Sequence, residues 1–281
     1  MFAEITSYPV LTLVLLSLLL LVGSFAGTLA GLFGVGGGII LVPAISMVLQ
    51  QLGVPVSDAV RVAVATSLAT IIPTSLTSLS AHHRRGNINW AILRHWIPLL
   101  ILGALLGGYL ARFVNGKVLS FCFSLLLLYM AWQQLKERRE NETGEEAHHR
   151  IALPYQRVMA FAIGCSSSML GIGGGVIGVP TLCAVGLPLK RAIGTASAFG
   201  MVVAIPAVGS YLMASPLPGI PLGGTVGLMH PLILVMLVPG ALVGAPFGVR
   251  LSQRLPVVKL RRAFAALLLV LGIKMLYSSL G

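Results

Sequence analysis

Gly34-Val35-Gly36-Gly37-Gly38-Ile39-Ile40-Leu41-Val42-Pro43 returns later in the chain as Gly171-Ile172-Gly173-Gly174-Gly175-Val176-Ile177-Gly178-Val179-Pro180. The two copies stand 137 residues apart (34 against 171). Each interrupts an apolar run with adjacent glycines, and a glycine costs a helix interior about 1 kcal/mol relative to Ala. Such a cluster marks a break where bare backbone turns or approaches something closely. Matching breaks in two half-chains are the sequence signature of a transporter's binding site.

The flanks of the breaks are membrane-like. Of 281 residues, 57% are hydrophobic and 9% charged, with a mean hydropathy of +0.96. A soluble domain carries roughly 25% charged residues, so the chain reads as an integral membrane protein in contact with the lipid bilayer. The net charge of +12 is scattered over short loops, which fits a positive-inside bias and argues against nucleic acid as a partner. Five of the seven acids, Glu137, Glu140, Glu142, Glu145 and Glu146, sit in one polar stretch, and Glu4 and Asp58 lie outside the expected spans. The spans therefore lack the buried carboxylates that serve proton and cation relays. Cys122, Cys165 and Cys183 form no CxxC pair and read as core residues, so neither a metal nor another cofactor is expected.

The apolar runs fall into two similar sets. In the first half they are Pro9 to Phe33, Ile39 to Leu49, a helix from Arg61 to about Ser80, His95 to Arg112, and Lys117 to Leu135. In the second they are Tyr155 to Leu170, Val176 to Val185, Lys190 to Met213, Val226 to Val249, and Ala263 to Ser279. Gly27 aligns with Gly164 at the offset of the breaks, which argues against a cleaved leader, and Gly103-Ala-Leu-Leu-Gly107 is answered by Gly240-Ala-Leu-Val-Gly244. The chain thus divides into a first membrane repeat at 1–135, a hydrophilic linker at 136–154 and a second membrane repeat at 155–281. The expected fold is all-α, two inverted-topology repeats of about five helical segments each, with short broken helices at the glycine motifs. Placing the His82-His83-Arg84-Arg85 loop, the linker and the Arg250 to Arg262 loop in the cytoplasm puts both termini outside. A single crossing by each broken pair would instead make the repeats parallel.

In a bilayer, non-helical backbone persists only where protein buries it or it lines a cavity. Unpaired N–H groups at the start of a helix carry partial positive charge and suit an anion. The expected substrate site is therefore Gly36, Gly37 and Gly38 with Gly173, Gly174 and Gly175; a tight packing turn is the structural alternative for any one of them. Ala65-Thr66-Ser67 is answered by Thr195-Ala196-Ser197 at an offset of 130 (67 against 197), which adds Thr66, Ser67, Thr195 and Ser197 to the expected site, although such hydroxyls often bond their own helix carbonyls. Arg61 and Arg191 line a possible anion path or anchor the interface. Lys274 reads as a snorkelling side chain, and His95 and His230 as helix starts.

The run Gly31 to Pro43, its echo at Leu170 to Pro180, and the two Ser-bearing helix starts resemble the sulfite exporter TauE/SafE family over nearly the whole chain. That resemblance implies transport of sulfur-containing anions, such as sulfite, thiosulfate or organosulfonates like sulfoacetate, across the cytoplasmic membrane. The expected protein is a secondary transporter, exporting by alternating access. An anion channel, or a cation-coupled importer, is the competing reading. An intramembrane enzyme is not expected, because the spans carry no acid pair, HExxH or Cys–His set. Nothing in the sequence fixes the oligomeric state.

Overall fold

The computed structural model describes residues 9–33, 37–135, 153–251 and 257–280, and every element in them is helical. In chain order these are α1 (Pro9–Phe33), α2 (Gly38–Gln51), α3 (Val56–His83), α4 (Trp90–Ala111), α5 (Gly116–Leu135), α6 (Leu153–Leu170), α7 (Gly175–Ala184), α8 (Leu189–Leu212), α9 (Pro231–Leu251) and α10 (Val257–Leu280). Gly36, Glu4, Arg254 and the linker carrying the five acids lie outside the described residues. Among the described residues, five helices are long and apolar enough to cross a membrane: α3, α4, α5, α8 and α9. At 1.5 Å per residue, α2 with 14 residues and α7 with 10 fall well short of a hydrocarbon core of about 30 Å.

Helix boundaries follow caps and prolines. Pro55 and Pro188 start α3 and α8 with matching backbone angles (φ −55°, ψ 145° and φ −58°, ψ 143°). Pro73 and Pro206 then lie at the same distance into each helix. This sets the offset between α3 and α8 at 133 rather than the 130 expected from the hydroxyl pairs, so Ser67 corresponds to Gly200. Asn89 caps α4, its Oδ1 accepting the Ile92 N–H at 3.2 Å, and His230 does the same for α9, its Nδ1 accepting the Ile233 N–H at 3.4 Å. The offset between these helices is therefore 141 (89 against 230), which pairs Gly103 with Gly244 instead of Gly240.

Other expected boundaries move as well. α4 begins at Trp90, so His95 lies in its second turn, and residues 226–229 form a tight bridged turn ahead of α9. Lys259, Arg261 and Arg262 belong to the first turns of α10, not to a loop. Cys122 is exposed on α5 rather than in the core, and Cys165 and Cys183 are half-buried.

Packing interleaves the halves. The first helix of each half lies on the fourth helix of the other, α1 with α9 and α6 with α4. Along one seam, Gly23, Gly27 and Gly31 face the backbone of Leu237, Ala241 and Ala245; along the other, Gly103 and Gly107 face that of Phe161 and Cys165. Both series ascend together, so both pairs are parallel. α3 and α8 form the centre and are more deeply buried than α4, α5 and α9. Gly200 meets Ile71 and Ser75, and Gly194 meets Asn87 beyond the end of α3, so α3 and α8 are antiparallel. Thr66 and Arg85 bond His230 and Val249, which makes α3 parallel to α9. Asn89 bonds Thr195, and Gly108 meets Ala207 and Ser210, which makes α4 parallel to α8. Outward-facing Leu102, Tyr109, Val243, Phe247 and Tyr277 supply the apolar shell.

Candidate functional site

The two breaks meet at the molecular centre. A Cβ on Gly38 would strike the Gly171 carbonyl oxygen, with the Ile172 Cα and the Ile71 side chain next to it. A Cβ on Gly173 would lie 2.9 Å from Ile71 and 3.4 Å from the Gly200 Cα. Gly37, Gly38 and residues 171–176 are all buried. The walls of this centre are therefore Ile71 of α3 and Phe199, Gly200 and Val203 of α8.

Local conformation repeats with the sequence. Gly37 and Gly174 N-cap the two short helices at φ 78°, ψ −14° and φ 78°, ψ −22°, and no side chain caps either start. Both angles lie in the left-handed region that side-chain-bearing residues avoid. In α2 the N–H groups of Ile40 and Leu41 donate to the Gly37 carbonyl; in α7 the first bond runs from Gly178 N–H to the Gly174 carbonyl at 2.8 Å. The preceding N–H groups, Gly38 and Ile39 in one helix and Gly175 to Ile177 in the other, have no acceptor within their own helices.

The expected hydroxyls are placed differently. Ser67 Oγ donates to the Gly171 carbonyl at 2.9 Å, which ties α3 to the second break. Thr66 Oγ1 accepts the His230 N–H, and Thr195 Oγ1 accepts the Asn89 N–H while donating to the Arg191 carbonyl. Ser197 Oγ donates to the Gly194 carbonyl at 2.6 Å. The guanidinium of Arg61 donates to the carbonyls of Arg112 and Val114, closing the α4–α5 turn. Arg191 is exposed at the start of α8. Burial holds the His230 imidazole below its usual pKa, its backbone hydrogen bonds acting the other way.

Ser167 is the residue that the sequence reading missed. It is fully buried, and its Oγ has no hydrogen-bond partner. It lies one turn after Ile163, whose side chain faces Gly174, so both occupy the face of α6 nearest the second break. Ser166 and Ser168, by contrast, bond carbonyls of their own helix. A run of three serines ahead of a glycine break was the available signal. The centre thus offers N–H and O–H donors, a set suited to an oxyanion. Among the described residues no group of His, Cys, Asp or Glu could hold a metal ion.

A family model described as Sulfite exporter TauE/SafE matches residues 19–275. A probable membrane transporter protein of Haemophilus influenzae is 32% identical, over 92% of this chain and 97% of its own length. Another from Methanocaldococcus jannaschii is 29% identical, over 94% and 96%. A third from Bacillus subtilis is 22% identical, over 94% and 98%. No solved structure matches the chain.

Proposed function

The chain belongs to the sulfite exporter TauE/SafE family and is a membrane transporter, and from that premise we propose that it exports small sulfur-containing anions across the cytoplasmic membrane as a secondary carrier. Sulfite, thiosulfate and organosulfonates such as sulfoacetate are the substrate class. The observation that carries the reading is the meeting of two buried glycine breaks beside the unpartnered Ser167 hydroxyl. The anion binds to the N–H groups of Gly38, Gly175 and Val176, with Gly37, Gly173 and Gly174 shaping the backbone around it and Ser167 completing the donor set. Ser67 positions the second break. Thr66 and Thr195 hold neighbouring segments in place, Ser197 bonds a carbonyl of its own helix, and Arg61 is a clamp rather than a lining group of the path.

The opposed directions of α1 and α6, α3 and α8, and α4 and α9 support inverted repeats, with the ends of α3 and α9 that meet at Arg85 and Val249 on the cytoplasmic side. Because the described breaks are buried, the anion reaches them when helices part on one side at a time, which favours a carrier over a channel. Inside-negative potential makes anion exit downhill by about 2.3 kcal/mol per charge per 100 mV.

The test is counterflow in proteoliposomes. Vesicles preloaded with unlabelled sulfite should accumulate [35S]sulfite transiently, with saturation, and sulfate or chloride should not replace it. Linear, voltage-driven flux without counterflow would establish the channel instead. Flat responses to sulfite, thiosulfate and sulfoacetate would remove the substrate class.

A further inference from the structure

One face of α3 carries Ser67, Ile71, Ser75, Ser78 and His82 at steps of three or four residues, so they form a single stripe along the helix. Its upper part is already placed: Ser67 donates to the Gly171 carbonyl, Ile71 adjoins Gly173, and Ser75 adjoins Gly200. From Ser67 to His82 the stripe covers roughly 22 Å at 1.5 Å per residue, from the breaks to the basic turn that follows α3.

The lower end has unspent hydrogen-bonding capacity. Ser78 is 4% exposed and His82 7%, yet neither Ser78 Oγ nor either ring nitrogen of His82 has a partner. Buried polar atoms without partners are rare in native proteins, and each one calls for an explanation. The other described histidines near a helix end are occupied. His230 uses both ring nitrogens, with Ile233 N–H and the Pro221 carbonyl, and His83 sets its ring edgewise to Trp90 at 5.5 Å. Around His82 the backbone closes into a turn, the N–H groups of Arg85 and Asn87 donating to its carbonyl at 3.2 and 3.1 Å. The Arg85 guanidinium, anchored to the Val249 carbonyl at 3.4 Å, places a permanent positive charge at the mouth of this turn. Asp58, the one acid among the described residues, stands at the opposite end of α3. A hydroxyl, an imidazole and a guanidinium without a carboxylate select an anion over a cation.

We propose that Ser78 and His82 form a second oxyanion-binding station between the glycine breaks and the basic turn, with Arg85 at its mouth. It rests on the reading of the chain as a sulfur-anion carrier and adds a waiting position on the way out. Ser78 lies about two turns and His82 about three turns of α3 beyond Ile71, the residue that adjoins Gly173, so the pair stands below the central site.

Equilibrium dialysis of [35S]sulfite against the detergent-purified full chain tests it, comparing wild type with Ser78→Ala, His82→Gln, Ser167→Ala and the Ser167→Ala/His82→Gln double variant. Loss of one hydrogen bond to a charged ligand weakens binding about tenfold or more. Ser78→Ala and His82→Gln should each weaken one class of site by that factor while the class sensitive to Ser167→Ala persists, and the double variant should weaken both. Melting without sulfite checks the fold; if His82→Gln does not fold, Ser78→Ala, which removes a single oxygen, carries the test. Wild-type sulfite binding left unchanged by both Ser78→Ala and His82→Gln overturns the station, assigns the two side chains to bound water, and leaves the carrier reading intact. No sulfite binding by the wild type overturns the sulfite reading and the station together.

Discussion

Gly27 and Gly244 lie in helical backbone and serve space, whereas Gly37 and Gly174 lie at φ 78° and serve conformation. Along the α1–α9 seam, a Cβ at Gly27 would strike the Ala241 carbonyl oxygen and one at Gly244 the Ser24 carbonyl oxygen. At Gly174 the nearest obstacle to a Cβ is the Phe199 side chain, at 3.2 Å. The seam glycines bring two backbones together without a hydrophobic driving force between helices. The break glycines turn a chain inside the membrane and expose N–H groups. One residue type therefore builds the scaffold in one region and the candidate site in the other, and substitutions should separate the two.

The largest effect belongs to the seam. Gly244→Leu cannot be accommodated without parting α1 and α9, because the obstacle is backbone on both sides. Its cost should reach at least about 3 kcal/mol, the upper end of overpacking penalties. Membrane extracts should hold little folded protein, read as loss of the monodisperse peak in detergent. A folded Gly244→Leu variant with normal transport would break the comparison at its root.

Gly174→Ala sharpens it from the other side. Forcing a side chain into left-handed backbone costs about 1–2 kcal/mol, so the protein should still fold but melt lower. Sulfite counterflow should fall far more than stability does. Gly53→Ala is the control: Gly53 has φ 85° with nothing within 4 Å of its would-be Cβ, so it carries similar strain far from the breaks. Equal transport losses in both variants would reduce the break to a packing turn.

Ser167→Ala should leave melting unchanged or slightly raised, since it removes a buried hydroxyl without a partner. The apparent KM for sulfite should rise about tenfold, the loss of one hydrogen bond to a charged group. An unchanged KM would take Ser167 out of the site.

The sequence made the breaks legible because their motif, cap glycine and following proline recur together, and the backbone angles recur with them. It misplaced α4 against α9 for a physical reason. The α9 seam repeats glycine every four residues, at 240, 244 and 248, so a slip of one helical turn leaves the pattern nearly unchanged. The caps at Asn89 and His230 fix the register, and the seam contacts of Gly103 with Phe161 and of Gly244 with Ser24 agree with it. The hydroxyls were harder still. Thr66, Ser67, Thr195, Ser197 and Ser167 look alike in the sequence, but four are satisfied by carbonyl or N–H partners contributed by the fold, and one is not.

The smallest effect tests that register. Asn89 and His230 perform the same capping task, so His230→Asn should keep the α9 cap, whereas His230→Ala should lose about 1 kcal/mol. The two substitutions also separate on acidification. Burial lowers the pKa of His230 in the folded state, so its contribution is complete above the ordinary value of about 6.5 and is lost as pH falls through the lowered folded value. Wild type should therefore lose melting temperature in acid relative to His230→Asn, which has no proton to gain there. Parallel melting profiles for the two would mean that His230 does not act as a neutral cap, and the offset of 141 would then rest on the seam contacts of Gly103 and Gly244 alone.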